Sequence, residues 1–400
     1  MLYDNASFFP SLVNCPMTDA VALRQRLLSI DALRGLVILF MLLDHARETF
    51  LLHRQVGDPM NIDTTEPALF FSRTLAHLCA PVFVLLTGMS AWLYGQKYQG
   101  RRAVSAFLFK RGLFLVVLEV TLVHFAWTFQ WPPGLLYLQV IWAIGVSMIA
   151  LAALVWLPRP LLITLALVLI AGHNLLDGVH FTPGSAAQVA WSILHERSFI
   201  EVSDTLRIRV TYPVLPWIGV IALGYGLGPW FSTTVLPAVR QRYLLLAGVG
   251  ALLGFVLLRA LNGYGDKPWQ AYDSGVQSVM SFFNVTKYPP SLLFLALTLG
   301  IGLLLLLAFE RAGHKRWISM LAVFGAAPMF FYLLHLYVLK LIHVACVALF
   351  GLNHGNYFGF DSVGAVWAVA LVLPLALYVP VRWFAALKAR RRDITWLKYF

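Results

Sequence analysis

The chain of 400 residues is 60% apolar and only 12% charged, with a mean hydropathy of +0.76, which excludes a soluble globular protein and predicts an all-α, polytopic membrane protein. The formal net charge of +12 is explained by the excess of Lys and Arg expected in cytoplasmic loops, so nucleic acid is not a predicted partner. The three cysteines are far apart and have no metal-ligand spacing, so the sequence predicts neither a disulfide framework nor a metal site.

Three segments are predicted along the chain. Residues 1–23 are expected to be a poorly ordered extension or a mis-annotated start, since Met17 offers a second start site. Residues 24–387 are predicted to form one transmembrane domain, and residues 388–400 a basic cytoplasmic tail.

Apolar runs of about 20 residues, the length that crosses a bilayer, occur at ten positions. They lie at 30–52, 68–95, 107–127, 134–156, 160–176, 212–231, 242–262, 289–309, 326–349 and 363–386. The segment Trp317–Phe350 is too long for one upright span and Pro328 favours a break within it, so ten or eleven helices are predicted. Lys and Arg are concentrated in the loops on the same side as the N-terminus, which predicts that both termini are cytoplasmic.

The first span, Arg26–Phe50, is unusual because ionisable side chains occur along its whole length. They are Asp31, Arg34, Asp44, His45, Arg47 and Glu48. Four of them fall within an arc of about 100° on the helical repeat: Asp31, Arg34, His45 and Glu48. Ionisable groups inside a membrane are costly and usually functional, so this polar face predicts a path across part of the bilayer.

The outer end of this polar face holds the first catalytic candidates. His45 is predicted to be a general base or nucleophile, and Glu48 is predicted to reach its ring and hold its tautomer. Asp44 points about 100° away and is predicted to pair with Arg47 or Arg73, or to face a ligand. The alternative is a solvated helix end with no catalytic role.

The second span carries His77 at a depth similar to that of His45. Arg73, His77 and Pro81 share one helix face, and Pro81 frees the carbonyl of His77 from its helical hydrogen bond. We therefore predict that His45 and His77 lie near each other as catalytic candidates. The alternative is that His77 only bonds a neighbouring helix.

Further candidates with a substrate-binding or supporting role lie later in the chain. Glu119 in the third span and His335 in the ninth are near the middle of their helices, where an unpaired polar group is costly. The other members of this group are His124, Gln139 and Tyr332. Each has a structural alternative, because Glu119 can be paired within the bundle and the aromatic residues can serve packing.

A cluster of basic residues between the second and third spans is predicted to face the cytoplasm. It comprises Lys97, Arg101, Arg102, Lys110 and Arg111. The cluster is interpreted as a topological signal and lipid contact, with binding of a phosphorylated cytosolic ligand as the alternative. The sequence has no motif for nucleotide hydrolysis, flavin binding, zinc proteolysis or serine hydrolysis.

Four segments together resemble a known group of membrane acetyltransferases. They are RLLSIDALRGLVILFML (26–42), APVFVLLTGMSAWL (80–93), PPGLLYLQVIWAIGV (132–146) and GAAPMFFYLLHLYV (325–338). The chain resembles the family typified by heparan-alpha-glucosaminide N-acetyltransferase, and in particular the bacterial membrane proteins grouped with its catalytic domain. This resemblance implies a bundle of ten or eleven helices in the bacterial cytoplasmic membrane that transfers acetyl groups from cytosolic acetyl-CoA to an amino sugar on the far side.

The resemblance also implies a catalytic histidine near the outer surface, before the second helix. Counting back from Pro81 places Pro67 at that position, so this chain does not carry that histidine. We predict that His45 or His77 replaces it. The residues that do match the family pattern are Asp31, Arg34, Gly35 and His335.

The sequence therefore predicts a transmembrane acyltransferase, with acetyl-CoA as the donor that the resemblance implies. The residues predicted to contact the donor are Asp31, Arg34, Arg101, Arg102, Lys110 and Arg111. The predicted partners are the lipid bilayer and a small polar acceptor such as an amino sugar or glycan, with a homo-oligomer allowed but not required. A non-catalytic, proton-coupled transporter is the alternative, and a hydrolase of an acylated envelope component is a third interpretation.

Overall fold

The structure is a computed structural model that describes residues 17–98, 100–313, 315–391 and 393–400. This part of the chain is mostly helical, which confirms the predicted class. The helices are α1 (Met17–Phe50), α2 (Pro67–Ala76), α3 (Cys79–Tyr98), α4 (Arg101–Leu118), α5 (His124–Thr128), α6 (Val140–Leu154), α7 (Arg159–Gly172), α8 (Ala186–Leu194), α9 (Leu215–Leu227), α10 (Pro237–Leu261), α11 (Gly275–Phe283), α12 (Leu292–Ala312), α13 (Arg316–Ala326), α14 (Pro328–Phe350) and α15 (Val363–Arg390). The extension predicted at residues 1–23 falls mainly outside the described residues, and α1 is described from Met17.

Six helical stretches in the described residues are long and apolar enough to span a membrane. They are Pro67–Tyr98, Arg159–Leu176, Pro237–Leu261, Leu292–Ala312, Pro328–Phe350 and Val363–Arg390. Helices also lie at the remaining predicted positions, but α1 carries many charges, and α6 and α9 are short. The protein is therefore a multi-pass membrane protein, while the count of ten or eleven crossings and the cytoplasmic termini stay predictions.

Two helix breaks occur close to prolines. Between α2 and α3 the chain leaves the helix at His77, four residues before Pro81, where the proline cannot donate to the His77 carbonyl. Between α13 and α14 the break is at Ala327, directly before Pro328. The segment Trp317–Phe350 is thus two helices, as its length and Pro328 suggested.

Helices α1 and α13 cross in direct backbone contact. A Cβ atom added at Gly35 would lie 1.9 Å from the carbonyl oxygen of Leu321, and one added at Gly325 would lie 1.8 Å from the carbonyl oxygen of Asp31. Small residues permit such approach between membrane helices. The crossing fixes the position of Asp31, which lines a cavity described below.

A small sheet, which the sequence analysis did not predict, lies among the loops. Its strands are β1 (Leu135–Leu138), β2 (Phe199–Ser203) and β3 (Leu206–Val210), in the order β1-β3-β2. β3 pairs in parallel with β1 and antiparallel with β2. The helix predicted from residue 134 therefore begins only at Val140, because the residues before it take their hydrogen bonds from a strand distant in sequence.

One arginine near the end of α10 fastens the long loop before α12. Arg259 is 2% exposed and donates hydrogen bonds to four main-chain carbonyls. Its acceptors are Lys267, Ser281, Phe282 and Asn284, at 2.7 to 3.0 Å. Since this loop also carries residues of the candidate site, Arg259 holds part of that site in place.

Candidate active site

A hydrogen-bonded chain of two histidines joins α1 to α14. His45 Nδ1 lies 2.8 Å from His335 Nε2, and His335 Nδ1 lies 2.7 Å from the carbonyl oxygen of Phe331. A carbonyl only accepts, so His335 donates from Nδ1 and accepts at Nε2, and His45 must donate from its Nδ1. When both rings are neutral, this fixes the tautomer of His45 and leaves a lone pair on its Nε2.

Two aromatic side chains meet the His45 ring edge to face. Trp127 lies 5.0 Å away between ring centroids at an interplanar angle of 83°, and Tyr332 lies 5.6 Å away at 74°. With His335 stacked at 5.1 Å, these rings enclose His45, which is buried.

The charged residues around His45 pair with one another rather than with the imidazole. Arg47 donates to Asp44 at 2.9 Å and to Glu48 at 3.1 Å, and Lys287 lies 3.4 Å from Asp44. The predicted pairing of Asp44 with Arg47 is confirmed. The prediction that Glu48 holds the His45 tautomer is wrong, because the buried Arg47 guanidinium engages Glu48 and His335 bonds His45.

His77 is not hydrogen-bonded to His45 among the described residues. It lies in the break between α2 and α3, its ring packs against Phe294 at 5.3 Å, and neither ring nitrogen has a partner among the described residues. One turn earlier, Arg73 lies 3.5 Å from Asp58, and both side chains are buried. No hydrogen bond joins the two histidine rings among the described residues, and their predicted proximity stays a prediction.

A cavity of about 380 Å³, named here the cationic cavity, extends from the Arg34 region of α1 toward His45. Arg34, Arg111 and Lys388 line one end of it, and Met41 and Tyr332 line it near His45. Much of the remaining wall is apolar: Ile38, Phe83, Leu108, Leu115, Ile141 and Met148. The cavity can therefore hold a ligand with an anionic end and an extended, less polar arm.

Polar contacts hold Arg34 at the cationic cavity. It donates to Asp31 at 2.9 Å and to the Leu86 carbonyl at 3.3 Å, and it also bonds the Ser90 hydroxyl. Arg111 Nε is buried without a partner among the described residues. Asp31 is the only side-chain carboxylate among the lining residues that the structure describes, against the three basic side chains of Arg34, Arg111 and Lys388, so the side chains at this end of the cavity carry a net positive charge.

The residues predicted to contact the donor do not all lie at one site in the structure. Of its members on α4, Arg111 reaches the cationic cavity, whereas Arg101 donates to the Trp156 carbonyl at 3.1 Å. Arg102 and Lys110 are exposed and do not line that cavity. Lys388 of α15, which the sequence analysis placed in the basic cytoplasmic tail, lines the cationic cavity instead.

Met41 also borders a smaller space on the other side, named here the histidine pocket. Its polar lining comprises Asp44, His45, Glu48, Gln139, Tyr212, Lys287 and Tyr288. Beyond Tyr288 is a cavity of about 490 Å³, the loop cavity, lined by Asp58, Asp177, His195, Arg197, Asp266 and Tyr288 among others. His45 thus lies between the cationic cavity and a series of polar spaces that ends in the loops.

The turn at Lys287 and Tyr288 separates the histidine pocket from the loop cavity. Asp58 holds this turn by accepting hydrogen bonds from the backbone N–H groups of Lys287 at 3.0 Å and Tyr288 at 2.7 Å.

Burial raises the pKa of Asp58, against the opposing effect of Arg73. Burial alone would lower the pKa of Lys287, but Tyr288 and Asp44 outweigh it and the pKa stands above its ordinary value. Lys287 is therefore charged at neutral pH and suited to pair with Asp44.

Of the remaining predicted site residues, Glu119 has a structural partner, and His124 has one at Nε2 but none at Nδ1 among the described residues. Glu119 begins a π-helical turn and accepts from the Trp142 backbone N–H at 3.0 Å, so it caps the start of α6. His124 lies 3.4 Å from the Thr128 hydroxyl, and Gln139 is the residue before α6. Only Gln139 of these three lines the histidine pocket.

The family model described as heparan-alpha-glucosaminide N-acetyltransferase, catalytic, matches residues 26–256. The match includes α1, with His45, and α5, with Trp127, but not α14, with His335. No curated protein matches the chain.

Proposed function

The chain belongs to the heparan-alpha-glucosaminide N-acetyltransferase catalytic-domain family, and we propose that it transfers an acetyl group from acetyl-CoA to a sugar or other cell-envelope acceptor on the opposite side of the membrane. Family membership indicates an acetyltransferase type of activity. The observation that carries the finer proposal is the position of His45. Its ring is oriented by His335 and lies between the cationic cavity and the histidine pocket.

The cationic cavity fits the donor. Arg34, Arg111 and Lys388 would bind the phosphate groups, and the apolar walls would enclose the pantetheine arm. An arm extended in this direction would bring its thioester to Met41 and Tyr332, beside His45. The unpartnered Arg111 Nε is the observation in favour of an anionic ligand at this end.

His45 Nε2 supplies the chemistry under this proposal. As a general base it would take a proton from the acceptor amine or hydroxyl, and as a nucleophile it would itself receive the acetyl group. Either route requires a neutral ring with a free lone pair. The chain from Phe331 through His335 to His45 provides that tautomer.

The acceptor would enter through the loop cavity. Its lining of carboxylates, histidines and aromatic rings is suited to a hydroxyl-rich molecule. The acceptor would pass Tyr288 to reach the histidine pocket, while the donor remains on the other side of Met41.

Two measurements on detergent-purified protein test the proposal. Graded acetyl-CoA should raise the unfolding temperature, with a stabilisation of about 2.7 kcal/mol at a hundredfold excess over Kd. Acetyl-labelled donor should pass its label to glucosamine or a cell-envelope extract, and His45→Gln should reduce that rate by about 10²- to 10⁴-fold. His343→Gln is the control, since His343 lies on α14 but contacts only Phe50 and Phe358 among rings. Full activity of His45→Gln would refute the role of His45.

Proton-coupled transport is the second candidate function. Buried charged groups recur along α1, and cavities lie on both sides of His45. A transporter would drive pH-dependent uptake into vesicles and would not be stabilised by acetyl-CoA. Such a result would favour transport over acyl transfer.

A further inference from the structure

Two buried hydrogen-bond donors beside His45 have no partner. They are the indole N–H of Trp127 and the hydroxyl of Tyr332, and neither makes a hydrogen bond with the described residues. Buried polar groups are nearly always bonded, so two exceptions in contact with one catalytic candidate need an explanation. The two groups lie close enough for the indole N–H to approach the Tyr332 oxygen, and no other group among the described residues bonds either of them.

The position of Tyr332 relates these donors to the cationic cavity. Tyr332 lines that cavity together with Met41, and its ring meets both His45 at 5.6 Å and His335 at 5.7 Å. Trp127 meets the same His45 ring from α5. A carbonyl group brought to His45 from the cationic cavity would therefore arrive beside both donors.

The two helices that carry the donors are fastened together. Tyr337 of α14 donates to the Leu122 carbonyl at 3.0 Å, in the π-helical turn directly before α5. Donors held in position before the reaction stabilise a developing charge without having to reorient.

We propose that Tyr332 and Trp127 form an oxyanion hole for the acyl carbon, an inference that rests on the proposed acyltransferase function. The attacking nitrogen or oxygen forms a bond to the thioester carbon, and the π electrons of the carbonyl move to its oxygen. The carbonyl then re-forms as the carbon–sulfur bond breaks, and that electron pair leaves on the sulfur of coenzyme A. The hydroxyl of Tyr332 and the N–H of Trp127 donate to the oxygen while it is negative. When the acceptor attacks, its proton passes to Nε2 of His45. When His45 attacks through Nε2, the acetylated ring carries the positive charge until the acceptor adds to the same carbonyl in a second step, takes the acetyl group and releases its proton, and the two donors serve both steps.

Removal of single donors tests the proposal. Tyr332→Phe deletes only the hydroxyl, and Trp127→Phe deletes the indole N–H. Each should lower kcat for acetyl transfer by about 10²- to 10³-fold, with no change in the stabilisation by acetyl-CoA, because the donors act on the transition state and not on the bound thioester. The control is Tyr243→Phe, which removes the hydroxyl of an exposed tyrosine of α10 whose ring packs against Trp230, and its kcat should stay within threefold of wild type.

The outcomes separate this inference from the proposed function. If wild type transfers acetyl groups and Tyr332→Phe keeps its kcat within threefold, the oxyanion hole is refuted and the acyltransferase stands. If wild type neither binds nor consumes acetyl-CoA, the proposed function is refuted and the inference with it. Should Trp127→Phe fail to fold, Tyr332→Phe alone decides. A fall in kcat of Tyr332→Phe that is matched by Tyr243→Phe also refutes the inference.

Discussion

Replacing His335 tests the orientation of His45 most directly. His335→Leu removes the acceptor of the 2.8 Å hydrogen bond and leaves the buried Nδ1–H of His45 without a partner. An unsatisfied buried donor costs about 1–3 kcal/mol, so the free energy of unfolding should fall by that amount. In the wild type, the hydrogen bond to His335 favours, by a similar free energy, the His45 tautomer with its lone pair on Nε2. Its loss should therefore lower kcat by about tenfold to a hundredfold.

A second variant separates orientation from packing. His335→Gln offers a side-chain oxygen to the His45 Nδ1–H and a side-chain N–H to the Phe331 carbonyl, so it should recover part of the lost activity. The assays are initial rates of acetyl transfer and thermal unfolding in detergent, with His343→Leu as the matched control on α14. Wild-type kcat in His335→Leu would refute the argument, as would equal losses in the Leu and Gln variants.

Three further predictions concern the helix crossing, the cationic cavity and the loop anchor. Gly325→Ala should destabilise the protein by about 1–3 kcal/mol or more in an unfolding assay, because its Cβ would lie 1.8 Å from a carbonyl oxygen of α1. The control is Gly250→Ala, whose Cβ would have no atom within 4 Å; it should be neutral or stabilising in the same assay. Lys388→Ala should raise the Kd for acetyl-CoA about tenfold or more by loss of a charged donor, whereas Arg102→Ala should leave it unchanged in a binding titration. Arg259→Ala should lower the free energy of unfolding by about 1–3 kcal/mol or more, because four main-chain carbonyls lose the donor that they share; full stability would contradict this.

Sequence periodicity predicted the features that depend on one helix at a time. The apolar runs marked the helix positions, and Pro328 marked the break between α13 and α14. The polar face of α1 also has the predicted order, with Asp31 and Arg34 at the cationic cavity and His45 in a separate pocket. Each of these features depends on hydropathy, helical repeat or proline chemistry, and all three are local.

The partners of His45 could not be predicted in the same way. His335 is 290 residues away, and nothing in the repeat of α1 favours it over Glu48, which lies only three positions along the helix. The role of His77 stays a prediction, since its ring nitrogens have no partner among the described residues. The sheet was missed for a related reason, since its parallel pairing joins segments that are distant in sequence.

Other site residues were missed because their types have common structural explanations. Trp127 resembles any packing aromatic residue, Lys388 any tail lysine, and Lys287 any loop lysine. Their importance comes from position: Trp127 has a buried N–H without a partner, Lys388 lines the cationic cavity, and Lys287 pairs with a buried carboxylate. Only the three-dimensional arrangement distinguishes them.

The thin partition formed by Met41 and His45 has a consequence for the membrane itself. The cationic cavity and the histidine pocket meet at these side chains without merging into one channel. Under the proposed function, the group that crosses is an acetyl unit of two carbons, exchanged between bonds, while coenzyme A and the acceptor stay on their own sides. A cell could therefore modify its exterior with a cytosolic metabolite without moving either coenzyme A or the acceptor through the bilayer.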